Sequence, residues 1–381
     1  MSSTLGRLMQ NTNGPVFVGL DVHRKSVYAT AVDTSGTCVS QERFGGTDAE
    51  LIDYLDRLPS PKHVVLEACT LWEHFYDAAK ATGAAVTLSN PYRTRLIAEA
   101  SLKTDRLDSE ALARLLRLNS IPESYAPPPE VRALRSLVRE RVFYRREAAA
   151  VSNHIYSFLL RRGIQYEDRI LGLRRKQETL RELHIEEVDR GLDALTSIEA
   201  TCKALDQRIH EEWEASPEAQ LLHTIPGVGE LTSLALASYL CPIERFASVE
   251  KVSSYVGLAP TTHQSGESEF HGHRKRDSVA LLRWLLVEAA WTHRRRVSRG
   301  AVARVAKRIS RRRGMGKGNV AAAHTLLKII YAMLKRREPF RVDAPRPPTA
   351  EGALRHPRVT AGKRVQRAAL GPPTANRLPA P

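Results

Sequence analysis

The sequence predicts an α/β domain at the N-terminus followed by a mainly helical remainder, and three observations carry that division. Strand-like apolar runs alternate with helical periodicity from Pro15 to about Ala126. Proline and most glycine then disappear between Glu130 and about Trp213, where apolar residues recur every three or four positions. The basic charge gathers late in the chain: residues 270 to 337 hold 19 Lys/Arg against two acids, Asp277 and Glu288.

The elements follow in order. Val16–Leu20 reads as a buried strand, Ser26–Val32 as its hairpin partner, and Thr37–Phe44 as a third strand after the turn at Thr34-Ser-Gly36. Thr47–Leu58 opens on an N-cap threonine with Glu50 three residues on, and Leu51, Ile52, Leu55 and Leu58 give it an apolar face: a helix. Val64–Leu66 is a second buried strand, Trp72–Ala81 a helix, Val86–Leu88 a short strand, and about Asp105 to Leu118 a final helix. Three β, then α, β, α, β, α is the order of a ribonuclease-H-like domain, where strand tips and a late helix converge on one metal site.

Ala126-Pro-Pro-Pro129 is a stiff break and a predicted domain boundary. Beyond it, Val188, Leu192, Leu195, Ile198, Cys202, Leu205, Ile209 and Trp213 mark a long amphipathic helix, part of a helical hairpin or a coiled coil. A coiled coil would supply dimer contacts; packing on its own chain accounts for the stripe equally well. His223 to Leu240 has the pattern of a helix-hairpin-helix turn, in which Gly227 and Gly229 permit a tight bend whose N–H groups can face a phosphate. Such turns also serve purely structural ends. A helix around Val249–Val256, a polar loop from Thr261 to Asp277, an apolar helix at Val279–Trp291 and an amphipathic helix from about Val320 to Lys335 complete the pattern. The expected divisions are a flexible N-terminus (1–14), the α/β domain (15–126), a helical or coiled-coil region (130–215), a C-terminal DNA-binding domain (220–340) and a disordered, basic, proline-rich tail (341–381).

The formal charge of +16 and pI near 9.9 arise from the late block and the tail, so the chain before residue 270 is acidic on balance. Such a block is the footprint of a polyanion-binding surface, with binding that weakens steeply as salt rises. Arg274, Lys275, Arg276, Arg311, Arg312 and Arg313 are its candidate nucleic-acid contacts. Cys38, Cys69, Cys202 and Cys241 form no CxxC pair, which argues against a zinc ribbon and for a reduced, cytoplasmic setting. No apolar run reaches the roughly 20 residues that span a bilayer, and Met1 to Gly14 lacks a signal peptide's apolar stretch.

Four carboxylates carry the chemistry. Asp21 and Glu67 each end an apolar strand, where a charge is costly without a partner such as a metal ion. Asp105 and Asp108 stand three apart at a helix start and share one face. Oxygen ligands suit Mg²⁺, with Mn²⁺ as an alternative, and such a site suits phosphodiester chemistry. Lys103 is placed to contact a phosphate, although a solvated lysine is the default. In the Thr261–Asp277 loop, Ser265 beside Gly266 is by residue type alone an ordinary loop serine. His271-Gly-His273 lacks a third soft ligand, so zinc is rejected.

The chain resembles the DEDD-type insertion-sequence transposases, bridge-RNA-guided recombinases with a RuvC-like N-terminal domain. The resemblance rests on Val18-Gly-Leu-Asp-Val-His, Leu66-Glu-Ala-Cys-Thr, Asn90-Pro, Lys103-Thr-Asp-Arg-Leu-Asp-Ser, Ile225-Pro-Gly-Val-Gly, Phe246-Ala-Ser, Tyr255-Val-Gly-Leu-Ala-Pro and Gln264-Ser-Gly, in order from about 16 to 340. It implies that Asp21, Glu67, Asp105 and Asp108 are Mg²⁺ ligands. It implies too that Ser265 attacks DNA to form a covalent phosphoserine link. A dimer or tetramer is implied, because one subunit's metal site is thought to combine with another's serine. Implied partners are element-end and target DNA and a structured guide RNA, in a bacterial cytoplasm at the nucleoid. Asp277-Ser-Val departs from the family's glycine–asparagine turn before the final helix, which puts local DNA contacts there in question. The alternatives are a RuvC-like junction resolvase using carboxylates and water only, and a non-catalytic DNA- or RNA-binding protein. A sugar-kinase-like ATPase is set aside, because Val22-His-Arg-Lys25 is not a glycine-rich phosphate turn.

Overall fold

The computed structural model describes residues 14–97, 105–166, 170–172, 174–259, 261–265, 268–272 and 278–342. An N-terminal five-stranded sheet has the order β3-β2-β1-β4-β5. Its strands are β1 (Val16–Val22), β2 (Ser26–Val32), β3 (Cys38–Gly45), β4 (Lys62–Glu67) and β5 (Ala85–Ser89). The first three form an antiparallel meander, while β4 and β5 run parallel to β1. Helices α1 (Asp48–Asp56) and α2 (Trp72–Ala81) provide the parallel crossovers. Thr47 caps α1 in a full capping box with Glu50, as the sequence spacing requires.

One face of the sheet presents Val16, Val18, Leu20, Val64 and Leu66 to Leu51, Tyr54, Leu55, Phe75 and Ala79 of α1 and α2. The other face receives α4 (Asp105–Arg117), which follows the short α3 (Pro91–Ile97). This is the mixed α/β arrangement expected of a ribonuclease-H-like domain, and most strand and helix bounds fall within one or two residues of the expected ones.

Everything after the sheet, among the described residues, is helical but for one hairpin. Helix α5 (Pro129–Arg161) starts inside the triproline, with Pro129 at a position where no backbone donor is needed. The expected boundary is therefore also the first turn of a 33-residue helix. After α6 (Arg174–Arg181) comes α7 (Glu186–Glu214), the predicted amphipathic helix. Its Val188, Leu192 and Leu195 pack with Ala148, Ile155 and Leu159 of α5. Leu205 and Ile209 enter the C-terminal core together with Leu137 and Val138. The stripe is thus satisfied within its own chain.

The C-terminal core gathers α8 (Pro217–His223), α9 (Glu230–Leu240), α10 (Val249–Val256), α11 (Ala280–Arg296), α12 (Ala301–Arg313) and α13 (Met315–Arg336). Two expectations need correction. The Thr261–Asp277 segment is not wholly loop: β6 (Thr261–Ser265) and β7 (Ser268–Gly272) pair antiparallel. Phe270 is the one large apolar residue in either strand, so no alternation announces them. Helices α3 and α12 are also absent from the expected elements; in α12 the cations hide a narrow apolar side around Val302 and Ala306. No helix among the described residues is long and apolar enough to cross a membrane, and the four cysteines form no disulfide.

Candidate carboxylate site at the strand ends

Side chains alternate along β1. Val16, Val18, Leu20 and Val22 point to the α1/α2 side, so Phe17, Gly19 and Asp21 point to the α4 side. Parallel register from Val16↔Lys62 to Leu20↔Leu66 puts His63, Val65 and Glu67 on that same side, and the Phe17 and His63 rings stack there at 5.3 Å. Asp21 and Glu67 follow directly on the last paired residues. They are neighbours at adjacent strand ends, each half-buried.

Gly19 sets the height of α4 above them. A Cβ there would lie 2.0 Å from the Ser109 carbonyl oxygen and 2.6 Å from the Ala113 nitrogen, so the helix backbone rests on the strand. Across the ladder from Gly19, Thr30 Oγ1 and Ser109 Oγ hydrogen-bond at 2.8 Å and lock the register. At the other end of the helix, Arg117 Nη1 donates to the Thr34 carbonyl in the β2–β3 turn. Helix α4 therefore runs antiparallel to β1, and its first turn lies at the Asp21/Glu67 end of the sheet. That turn holds Asp105 and Asp108, with Asp108 half-buried beside Ser109. The positive end of the helix dipole favours carboxylates there.

A residue the spacing did not single out also enters. His23 Nε2 donates to Asp21 Oδ2 at 3.0 Å and fixes that carboxylate's orientation. Its separation of two from Asp21 was the available signal, since alternation along a strand returns both to one face. Among the described residues no three His, Cys, Asp or Glu side chains form a ready metal cluster. The Asp105 side chain lies outside the described residues. Hard oxygen donors on two neighbouring strand ends, facing a helix start, are a donor set that suits a divalent ion.

Of the remaining sequence candidates, several lie outside the described residues. Ser265 ends β6 opposite Ser268, and its side chain is outside the described residues, as are Lys103, Arg274, Lys275 and Arg276 altogether. Arg311, Arg312 and Arg313 are exposed at the end of α12. Gly227 has φ +97°, and a Cβ on it would lie 2.7 Å from the His293 nitrogen. The buried His293 Nδ1 donates to the Pro226 carbonyl at 2.8 Å, so this turn docks on α11. Gly229 caps α9 and has open space around it.

Comparison with known proteins agrees with this architecture. Residues 18–162 match the DEDD transposase model of the IS110 type, and residues 219–306 match the model described as transposase IS116/IS110/IS902 family. The chain is 27% identical to the transposase for insertion sequence element IS1111A of Coxiella burnetii, covering 86% of this chain and 92% of that protein. It is 23% identical to a probable family 20 transposase of Pseudomonas aeruginosa, over 85% of this chain and 98% of the other. A pilin gene-inverting protein of Moraxella bovis is 25% identical over 74% of this chain and 82% of its own length. A sheet bearing strand-end acids, joined to a basic helical region, is here the framework of a transposase, an enzyme that cleaves DNA and transfers its strands. The chain belongs to the IS116/IS110/IS902 transposase family. A DEDD transposase domain implies use of a divalent metal ion, and a transposase binds its element's ends and a target.

Proposed function

We propose that this transposase excises and inserts its element through attack of Ser265 on DNA, assisted by a carboxylate site of Asp21, Glu67, Asp105 and Asp108. The juxtaposition of Asp21 and Glu67 on neighbouring parallel strands, beneath the first turn of α4, is the observation that carries the reading. The four carboxylates would hold Mg²⁺. When bound, such an ion neutralises phosphate charge and stabilises attacking and leaving oxygens. Ser265 Oγ gives its proton to water and forms the bond to phosphorus, while the deoxyribose oxygen leaves as a hydroxyl. The cut strand stays on the protein as a phosphoserine. Attack on that phosphoserine by the hydroxyl of a second strand completes the transfer and regenerates Ser265.

His23 holds Asp21 in position. The exposed Arg311, Arg312 and Arg313, the open start of α9 at Gly229, and Lys103, Arg274, Lys275 and Arg276 supply phosphate contacts in this reading. A structured RNA encoded with the element pairs with target and donor, and two or more copies assemble so that one copy's carboxylates serve another's serine. Residues 15–126, 130–215 and 220–340 divide into catalytic, assembly and DNA-binding parts.

The test is covalent capture: purified protein, element-end DNA, the co-encoded RNA and Mg²⁺, with DNA retained through denaturation as the readout. Wild type should retain DNA, whereas Ser265→Ala and Asp21→Asn should not, although both still bind DNA. Cleavage without an adduct, unaffected by Ser265→Ala, would replace the serine reading with a resolvase-like hydrolysis. Full activity without the RNA would remove the guide.

A further inference from the structure

We propose that an exposed aromatic face shared by α11 and α5 is a platform for unpaired nucleic-acid bases. Helix α11 buries Leu282, Leu285, Leu286, Ala289, Ala290 and His293. Its opposite stripe is Ala280, Trp284, Glu288, Trp291 and Arg295, spaced four, four, three and four apart. Trp284 and Trp291 are each 39% exposed, so the core leaves a large part of each ring in water. Two tryptophans on one solvent-facing stripe are a concentration of apolar surface that folding alone does not require.

Guanidinium groups accompany both rings. Arg295 lies over Trp291 at 4.6 Å, and Arg146 reaches from α5 over Trp284 at 5.8 Å. One turn before Arg146 on the same face of α5 stands Phe143, 55% exposed. The end of α11 adds Arg294 and Arg296, and Arg299 follows.

The chemistry selects one partner. Seven residues of helix separate the tryptophans by about 10 Å along the axis, room for a base on each ring with sugar-phosphate between them. Stacking needs a base's open face, which a duplex conceals and an unpaired strand offers. The arginines beside the rings would meet the phosphates of that strand. An apolar protein surface would instead cover these guanidinium groups without a counter-charge, and Glu288 is the single carboxylate on the stripe. The platform does not depend on the Ser265 reading, because it concerns binding and no bond changes.

Full-length protein would be titrated with unpaired DNA of about 12 nucleotides, unpaired RNA of the same sequence, and the duplex. The readouts are tryptophan fluorescence and oligonucleotide anisotropy. Unpaired strands should quench fluorescence, and W284L/W291L should bind them about tenfold more weakly for each ring lost while binding duplex as wild type does. W284Y/W291Y keeps aromatic faces and should recover most of the affinity, which separates stacking from misfolding. A preference for RNA or for DNA in these arms tells which strand occupies the face. Unchanged affinity of W284L/W291L for both unpaired strands would overturn the proposal. So would a wild-type self-association, seen in sedimentation, that the same substitutions abolish without affecting unpaired-strand binding.

Discussion

Replacing Gly19 by alanine tests the link between the fold and the proposed carboxylate site. The new methyl group would sit 2.0 Å from the Ser109 oxygen, 2.6 Å from the Ala113 nitrogen and 2.9 Å from the Leu112 Cβ. The first two are helix backbone, so no side-chain rotation relieves the clash. An ordinary contact begins near 3.4 Å, which requires α4 to lift by about 1.4 Å. Overpacking of this kind costs about 1–3 kcal/mol of stability. The same lift carries Asp105 and Asp108 away from Asp21 and Glu67, and a misplacement of about 1 Å can slow a reaction some 100-fold. Single-turnover cleavage of element-end DNA, run beside urea unfolding, measures both effects. Gly83→Ala is the control: its φ of +77° makes alanine strained by about 1 kcal/mol, with nothing within 4 Å to collide with. Gly83 precedes β5 at the end of the sheet away from Glu67, so it should lose stability without losing cleavage. Wild-type cleavage by a folded Gly19→Ala protein would refute the claim that the seat of α4 on β1 aligns the carboxylates.

Other consequences can be measured directly. The Arg132 side chain is 7% exposed, and Asp77 accepts two hydrogen bonds from its Nη2, at 2.8 and 2.7 Å. Asp77→Ala should destabilise the protein by about 2 kcal/mol, a figure moderated by the half-exposed Asp77, and an unchanged urea midpoint would show that solvent replaces the pair. Burial holds His293 and His324 below the ordinary histidine pKa. Each therefore takes up a proton more readily unfolded than folded, so stability is fully present above about pH 6.5 and falls as the pH drops below it. His293→Gln should flatten that slope between pH 7 and 5.5; an identical slope would place the proton uptake elsewhere.

Much of the α/β part is legible because local signals and tertiary demands agree. Thr47 and Glu50 are both the written signature and the observed cap of α1. The apolar run before Asp21 is read as buried because it is covered on both faces. Legibility fails where partners are distant in sequence. His23 beside Asp21 had only a spacing of two to announce it. The bond from Thr30 to Ser109 spans 79 residues and leaves no local trace. In the C-terminal part, the cations of α12 conceal its apolar side, and the paired strands around Ser265 satisfy their backbones without an apolar alternation.

By itself the sequence determined the order of the five sheet strands and most of the helices around them, the placement of acids at strand ends, and the late concentration of basic charge, since each follows from residues close together in the chain. Gly227 could be read as a bend, but only the packed molecule makes it the contact that lets α11 approach. Likewise, only tertiary structure decided that the α7 stripe is used against α5 and that α4 lies on β1 through Gly19. The reason is steric: a glycine's missing side chain or a helix's apolar stripe states what it permits, and the partner that uses it comes from elsewhere in the chain.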